Sequence, residues 1–200
     1  DLLLHDIFLQ SQSGSSGELV LTTGGDLALG GELSLTDDFA LEALSGSATL
    51  DNLVLDTNDD FTLRARDSVS MRNSQINPAA TAGSTGRVSV VSETGSLNLS
   101  GTSMTVNKNY DGTTNVLTLQ ADGDIELDGA TIDIDHRSNA TPYAQANIIS
   151  QNGSINLGDA DVTAVNSASN TSGVNLSLQA ATAILGDSNS FTTDGTVSLT

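Results

Sequence analysis

Cysteine and tryptophan are absent from this 200-residue chain, lysine occurs once, at Lys108, and there are only two prolines, two tyrosines and four phenylalanines. Without cysteine there is no disulfide staple, no thiolate chemistry and no Cys-based zinc site. Basic residues are scarce too. Six Lys plus Arg stand against 25 Asp plus Glu, for a net charge of −19. That balance excludes the basic stripe that nucleic acid requires and argues against an anionic membrane surface. No apolar run approaches the roughly 20 residues that span a bilayer, so no membrane insertion is expected. No stretch sustains a capped apolar stripe at 3.6-residue spacing, so essentially no helix is expected.

What the chain has is a phrase that returns. Gly95–Met104 (GSLNLSGTSM), Gly123–Ile132 (GDIELDGATI) and Gly153–Val162 (GSINLGDADV) are copies of one another. The apolar residue two places after the turn glycine recurs at Leu27, Ala48, Val69, Leu97, Ile125, Ile155 and Ile184, at gaps of 21, 21, 28, 28, 30 and 29 residues. A second column runs two places later through Leu29, Leu50, Met71, Leu99, Leu127 and Leu157. A third runs seven places later through Leu55, Ile76, Met104, Ile132, Val162 and Phe191. The first coil fits this third column less well, since Leu33 and Leu35 straddle it.

Alternation of apolar and polar residues marks half-buried strands. Gly25, Gly46, Asp67, Gly95, Gly123 and Gly153 precede the marker, and Asn52, Asn73, Gly101, Gly129, Asp159 and Ser188 follow it. These are residue types that tolerate positive φ or bond their own backbone, so both columns read as corners. A fixed period built this way is one supersecondary unit stacked on copies of itself. The expectation is an all-β, right-handed parallel β-helix of about seven coils of 21–30 residues, with three short strands per coil. Residues 1–200 read as one segment without a linker. The end, Val197–Thr200, reads as the opening strand of another coil, so the segment is expected to be a slice of a longer rod.

The longer coils carry their extra residues after the third strand, at 77–86, 107–115, 135–145 and 166–173. Insertions at one repeat position project from one side of a solenoid, so these loops are expected to form a ridge. Loops on a rigid scaffold commonly carry binding residues. Tyr110, Tyr143, Lys108, Arg137 and His136 are therefore the binding candidates, with His136 and Arg137 read as surface loop residues.

Asp122, Asp124, Glu126, Asp128, Asp133 and Asp135 make one coil densely acidic. Oxygen ligands at turns suit a hard cation, and calcium is the candidate cofactor. The candidate ligands are Asp38 and Asp59, 21 residues apart at a corner with Asp37 and Asp60, together with Asp122 and Asp124. The nonapeptide of dedicated calcium β-rolls is absent, and a solvated acidic face that keeps strand edges apart accounts for the same residues. Asn98 and Asn156 are expected to stack as an outward amide ladder. The chain reads as non-enzymatic. Polysaccharide-cleaving β-helices pair carboxylates with aromatics and bases, and here most Phe sit at inward positions.

The repeats resemble the shafts of filamentous haemagglutinin-like exoproteins of bacterial two-partner secretion, most closely at Gly123–Ile132. The resemblance runs from about Leu19 to Leu199. It implies export through an outer-membrane transporter, residence at the bacterial surface or outside the cell, and an adhesive shaft whose partner is a receptor or glycan on a host or neighbouring cell. Two further readings are a structural filament subunit associating end to end, and a carbohydrate-active β-helix.

Overall fold

The computed structural model describes residues 1–10, 18–78, 86–108, 115–137, 144–167 and 173–200, the side chains of 5–10 and 107–108 aside. All regular structure among them is strand. β1 (Leu2–Gln10) comes first, and seven coils follow. The first coil is β2 (Leu19–Thr23) and β3 (Leu27–Leu35), the second β4 (Phe39–Ala43) and β5 (Ala48–Thr57). The third is β6 (Phe61–Ala65), β7 (Val69–Arg72) and β8 (Gln75–Pro78). The fourth is β9 (Val88–Ser92), β10 (Leu97–Asn98) and β11 (Ser103–Lys108). The fifth is β12 (Asn115–Ala121), β13 (Ile125–Glu126) and β14 (Thr131–His136). The sixth is β15 (Ala144–Ser150), β16 (Ile155–Asn156) and β17 (Asp161–Val165), and the seventh β18 (Val174–Ala180), β19 (Ile184–Leu185) and β20 (Ser190–Thr193). β21 (Val197–Leu199) begins an eighth.

The first strand of each coil lies in an eight-stranded sheet B, and the remaining strands lie in a 13-stranded sheet A. Each strand pairs in parallel with its counterparts one coil away, as a parallel β-solenoid requires. Eight strands at about 4.8 Å spacing make sheet B about 34 Å long.

The register follows the sequence columns. Leu27, Ala48, Val69, Leu97, Ile125, Ile155 and Ile184 are successive partners. So are Leu33, Leu55, Ile76, Met104, Ile132, Val162 and Phe191. Their side chains meet the inward residues of sheet B in one core, where Phe39 and Phe61 stack with ring centroids 6.0 Å apart. Burying each Leu or Ile fully contributes about 1.5–3 kcal/mol, and the stack repeats that gain at every coil.

Three details differ from the sequence reading. The first two coils have two strands, because β3 and β5 run through the corner that later coils break. Asn52, in left-handed conformation with φ 52°, is a bulge inside β5 that leaves Asp51 and Asn52 both exposed. Asn73, Gly101 and Gly129 occupy the same column with positive φ, but the sixth coil takes that conformation at Gly158 and not at Asp159. The first coil is one residue shorter there, which puts Leu33 opposite Leu55.

The other glycine column serves a different purpose. None of Gly25, Gly46, Gly95, Gly123 and Gly153 has positive φ. They are needed because the coil below comes too close. A Cβ on Gly153 would sit 2.6 Å from the Gly123 carbonyl carbon and 2.7 Å from the Asp124 nitrogen.

Candidate functional site

The chain crosses from sheet B to sheet A through a corner of nearly constant length, and returns through a corner of variable length. Three returns take three residues each: 36–38, 58–60 and 194–196. The other five are longer: 11–18, 79–87, 109–114, 137–143 and 166–173. All the extra length therefore falls between a strand of sheet A and the next strand of sheet B, and most of the expected ridge residues lie outside the described residues. The first of the longer returns, 11–18, was not among the expected loops, because the first coil's irregular columns obscured it.

The strands also reach further into the ridge segments than expected. β8 runs to Pro78, β11 to Lys108 and β14 to His136. Tyr110 and Tyr143 lie outside the described residues, as does the Lys108 side chain; the Lys108 backbone is in register with His136. His136 is not a loop surface residue. It ends β14 in the inward phase after Ile132 and Ile134 and is 1% exposed. Arg137 is exposed, and its guanidinium donates to Asp135 at 2.6 Å. Burial pushes the Asp135 carboxyl up, but hydrogen bonds from Ser167 and Arg137 outweigh it and hold the group below the usual range.

At the short returns the sequence stacks acids. The register sets Phe39 opposite Phe61, so Asp38 stacks on Asp60, 22 residues away, and Asp59 lies one place off the expected column. Carboxylate oxygens of Asp38, Asp59 and Asp60 nevertheless all come within 4.8 Å of one another. Backbone groups hold them there. The Asp60 N–H donates to Asp38 Oδ1 at 3.1 Å, and the Arg87 N–H donates to Asp60 Oδ1 at 2.7 Å. The Thr57 hydroxyl ties the turn to the Asp37 carbonyl at 2.6 Å. Burial is the main influence raising the Asp38 carboxyl; the charges of Asp59, Asp60 and Glu18 add to it, against the lowering hydrogen bond from Asp60. A calcium ion takes six to eight oxygens, of which three carboxylates supply about half.

Asp122 and Asp124 lie at the opposite, constant corner and have structural partners. Asp122 Oδ1 accepts from the Asn152 amide at 2.6 Å. Asp124 belongs to a ladder that sequence reading missed. In this column the side chains of Asp26, Ser47, Ser68, Ser96 and Asp124 each accept from the N–H of the same position one coil on, at 2.8–3.3 Å. The signal was present as a Ser or Asp directly before every marker from Asp26 to Ser154, hidden by the more conspicuous glycines beside it. Asn98 and Asn156 do not stack on each other. Glu126 lies between them and accepts from the Asn156 amide at 2.8 Å.

The outer faces of the two sheets differ chemically. From β3 to β17 the strands of sheet A carry seven acids, Glu32, Asp51, Asp56, Glu126, Asp133, Asp135 and Asp161, against two bases, Arg72 and Lys108. The strands of sheet B carry one acid and one base, Glu42 and Arg64, which are register partners. Beside them a shallow depression is lined by Glu42, Ala43, Leu44, Arg64, Arg66 and Glu93. Glu93 pairs there with both arginines, its Oε1 accepting from Arg64 Nε at 2.7 Å. From β9 to β18 the outward positions of sheet B are uncharged. One row is Ser89, Thr118, Asn147 and Ser177; the next is Val91, Gln120, Ile149 and Gln179.

No family model, curated protein or solved structure matches this chain.

Proposed function

We propose that this chain is part of the shaft of an extracellular, filamentous bacterial surface protein, and that its work is attachment through the ridge. One observation supports this reading above the others. Coil length varies by up to six residues at one corner, from 36–38 to 79–87, and by no more than one residue at the others. A rod that only spans distance has no use for that asymmetry, whereas a rod that presents binding loops along one side does. The acidic, cysteine-free composition and the resemblance of Gly123–Ile132 to exoprotein shafts fit export and residence outside the cell. A receptor or glycan on another cell is the partner in this reading, and an outer-membrane transporter is the route.

The test is cell attachment by the full-length protein with the long returns cut to the three-residue form of 36–38. Attachment should fall several-fold while circular dichroism and thermal midpoint change little. Unchanged attachment would overturn the reading. So would electron micrographs showing long fibres that repeat this segment end to end.

A further inference from the structure

We infer that the outer face of sheet B, over β9 to β18, binds an uncharged, extended polysaccharide chain laid along the stack. The face stands apart from the rest of the molecule in charge. In a chain of net charge −19, four adjacent strands present no charged side chain, and Ser89, Thr118, Asn147 and Ser177 follow one another at each coil. Hydroxyl and amide groups both donate and accept, which matches a ligand made of hydroxyls. They repeat at about 4.8 Å, close to the spacing of sugar units in an extended chain. All four side chains are half-buried between their neighbours, so little rotamer freedom remains to be lost on binding. Val91 and Ile149, in the adjacent row, supply apolar contact for the faces of the sugar rings.

Size and charge decide between occupants. Four strands at about 4.8 Å and about five residues at 3.3 Å give on the order of 300 Å². A stable protein partner needs about 800 Å² on each side, so a second copy of this chain is poorly served. An anionic ligand finds no base in either row from β9 to β18, since Arg64, in register with Val91, and the exposed Arg87 border only the first strand of the face, and a cationic ligand finds its complement on sheet A. Without an aromatic platform each sugar adds little, so affinity should rise steeply with chain length as contacts accumulate coil by coil.

This inference goes beyond the attachment reading: it adds a second binding surface, on a sheet face and not on the ridge. The experiment is affinity electrophoresis of the whole protein through gels containing hydroxyethyl cellulose, galactomannan or dextran, with alginate as the charged control. Retardation by at least one neutral polymer, insensitive to salt, is expected. Asn147→Asp should weaken it at least tenfold. That variant should fold, because Asp133 already sits between two threonines in register, Thr105 and Thr163, as the new carboxylate would sit between Thr118 and Ser177. Ser103→Asp adds the same charge to sheet A and should leave binding unchanged. Retardation by none of the neutral polymers, retardation by alginate alone, or equal binding by Asn147→Asp would each overturn the inference. A dimer in sedimentation that Asn147→Asp dissociates would also overturn it, reassigning the face to a second copy. Loss of cell attachment on trimming the ridge is measured separately, so either reading can fail alone.

Discussion

The two sheets are built from the same coils and bury the same kind of core, yet their outer faces follow different rules. Sheet A carries seven acids and two bases on its strands between β3 and β17, whereas sheet B carries a single acid and a base beside it. Outward positions are not fixed by the fold, since any polar side chain satisfies the alternation. The partition of charge is therefore a property of the surface and not a by-product of folding.

Sheet A also shows how a solenoid tolerates so much charge. Glu126 lies between Asn98 and Asn156, Asp133 between Thr105 and Thr163, Asp56 between Ser34 and Asn77, and Asp51 opposite Arg72. No two of these acids are register partners, so like charges avoid the close spacing that destabilises neighbouring strands. The returns at 36–38 and 58–60 break this rule, where Asp38 stacks on Asp60.

The strongest challenge to the comparison is to the claim that the sheets differ only outside. Ile148 of sheet B and Ile134 of sheet A are both fully buried. Truncating either to Ala should cost about 2–5 kcal/mol by chemical denaturation, with similar losses on the two sheets. A large loss on one sheet and a negligible one on the other would show that the core is not shared.

Next in size is the constant corner. Gly153→Ala forces a Cβ to 2.5 Å from Asp124 Oδ1, which can swing away, and to 2.6–2.7 Å from the Gly123 and Asp124 backbone, which cannot. The loss should be about 1–3 kcal/mol, typical of overpacking. A neutral outcome would mean that the coil below yields at little cost and that clearance does not account for this glycine column.

Much of this is legible in the sequence alone. The marker columns coincide with the observed register because apolar alternation and coil length leave no other way to bury Leu97, Ile125 and Ile155 together. What was not legible depends on distances between coils. A glycine chosen for φ and a glycine chosen for clearance look the same in a sequence, and only stacking separates Gly129 from Gly153. His136 was misplaced for a related reason. Its polarity suggested a loop, but it continues the inward phase of β14 by one more step. The 22-residue offset at Asp38 was concealed by a 21-residue marker gap, because the second coil has one more residue between its columns than the first.

Asp38→Asn probes the acid stack. The Asp38 carboxyl is raised above its ordinary value in the folded state, so the native protein binds its proton more tightly than the unfolded chain does. Stability is therefore lost as pH rises from the unfolded carboxylate range through the raised value, and the penalty is complete above it. Asparagine keeps the oxygen that accepts from the Asp60 N–H and removes the charge. A gain of about 0.5 kcal/mol at neutral pH is expected, vanishing in acid. Destabilisation at neutral pH would show that the charge itself stabilises this return.

The smallest effect belongs to the few charges near sheet B. Glu93 pairs with Arg64 and Arg66, and the hydrogen bond from Arg64 is the chief cause holding its carboxyl below the usual range, against a smaller opposing effect of burial. The sign is opposite to that of Asp38. A depressed carboxyl contributes stability above the unfolded pKa, and that contribution is lost as pH falls through the folded value. Both arginine side chains are more than half exposed, so water and salt screen the pair. Glu93→Gln should give a slight drop in thermal midpoint at neutral pH and low salt, absent at acid pH and absent in molar salt. If the drop survives molar salt, Glu93 acts through its hydrogen bonds to Arg64 and Arg66 and not by its charge. The depression they line would then count as part of the structure of sheet B, and the partition of charge between the two sheets would be complete.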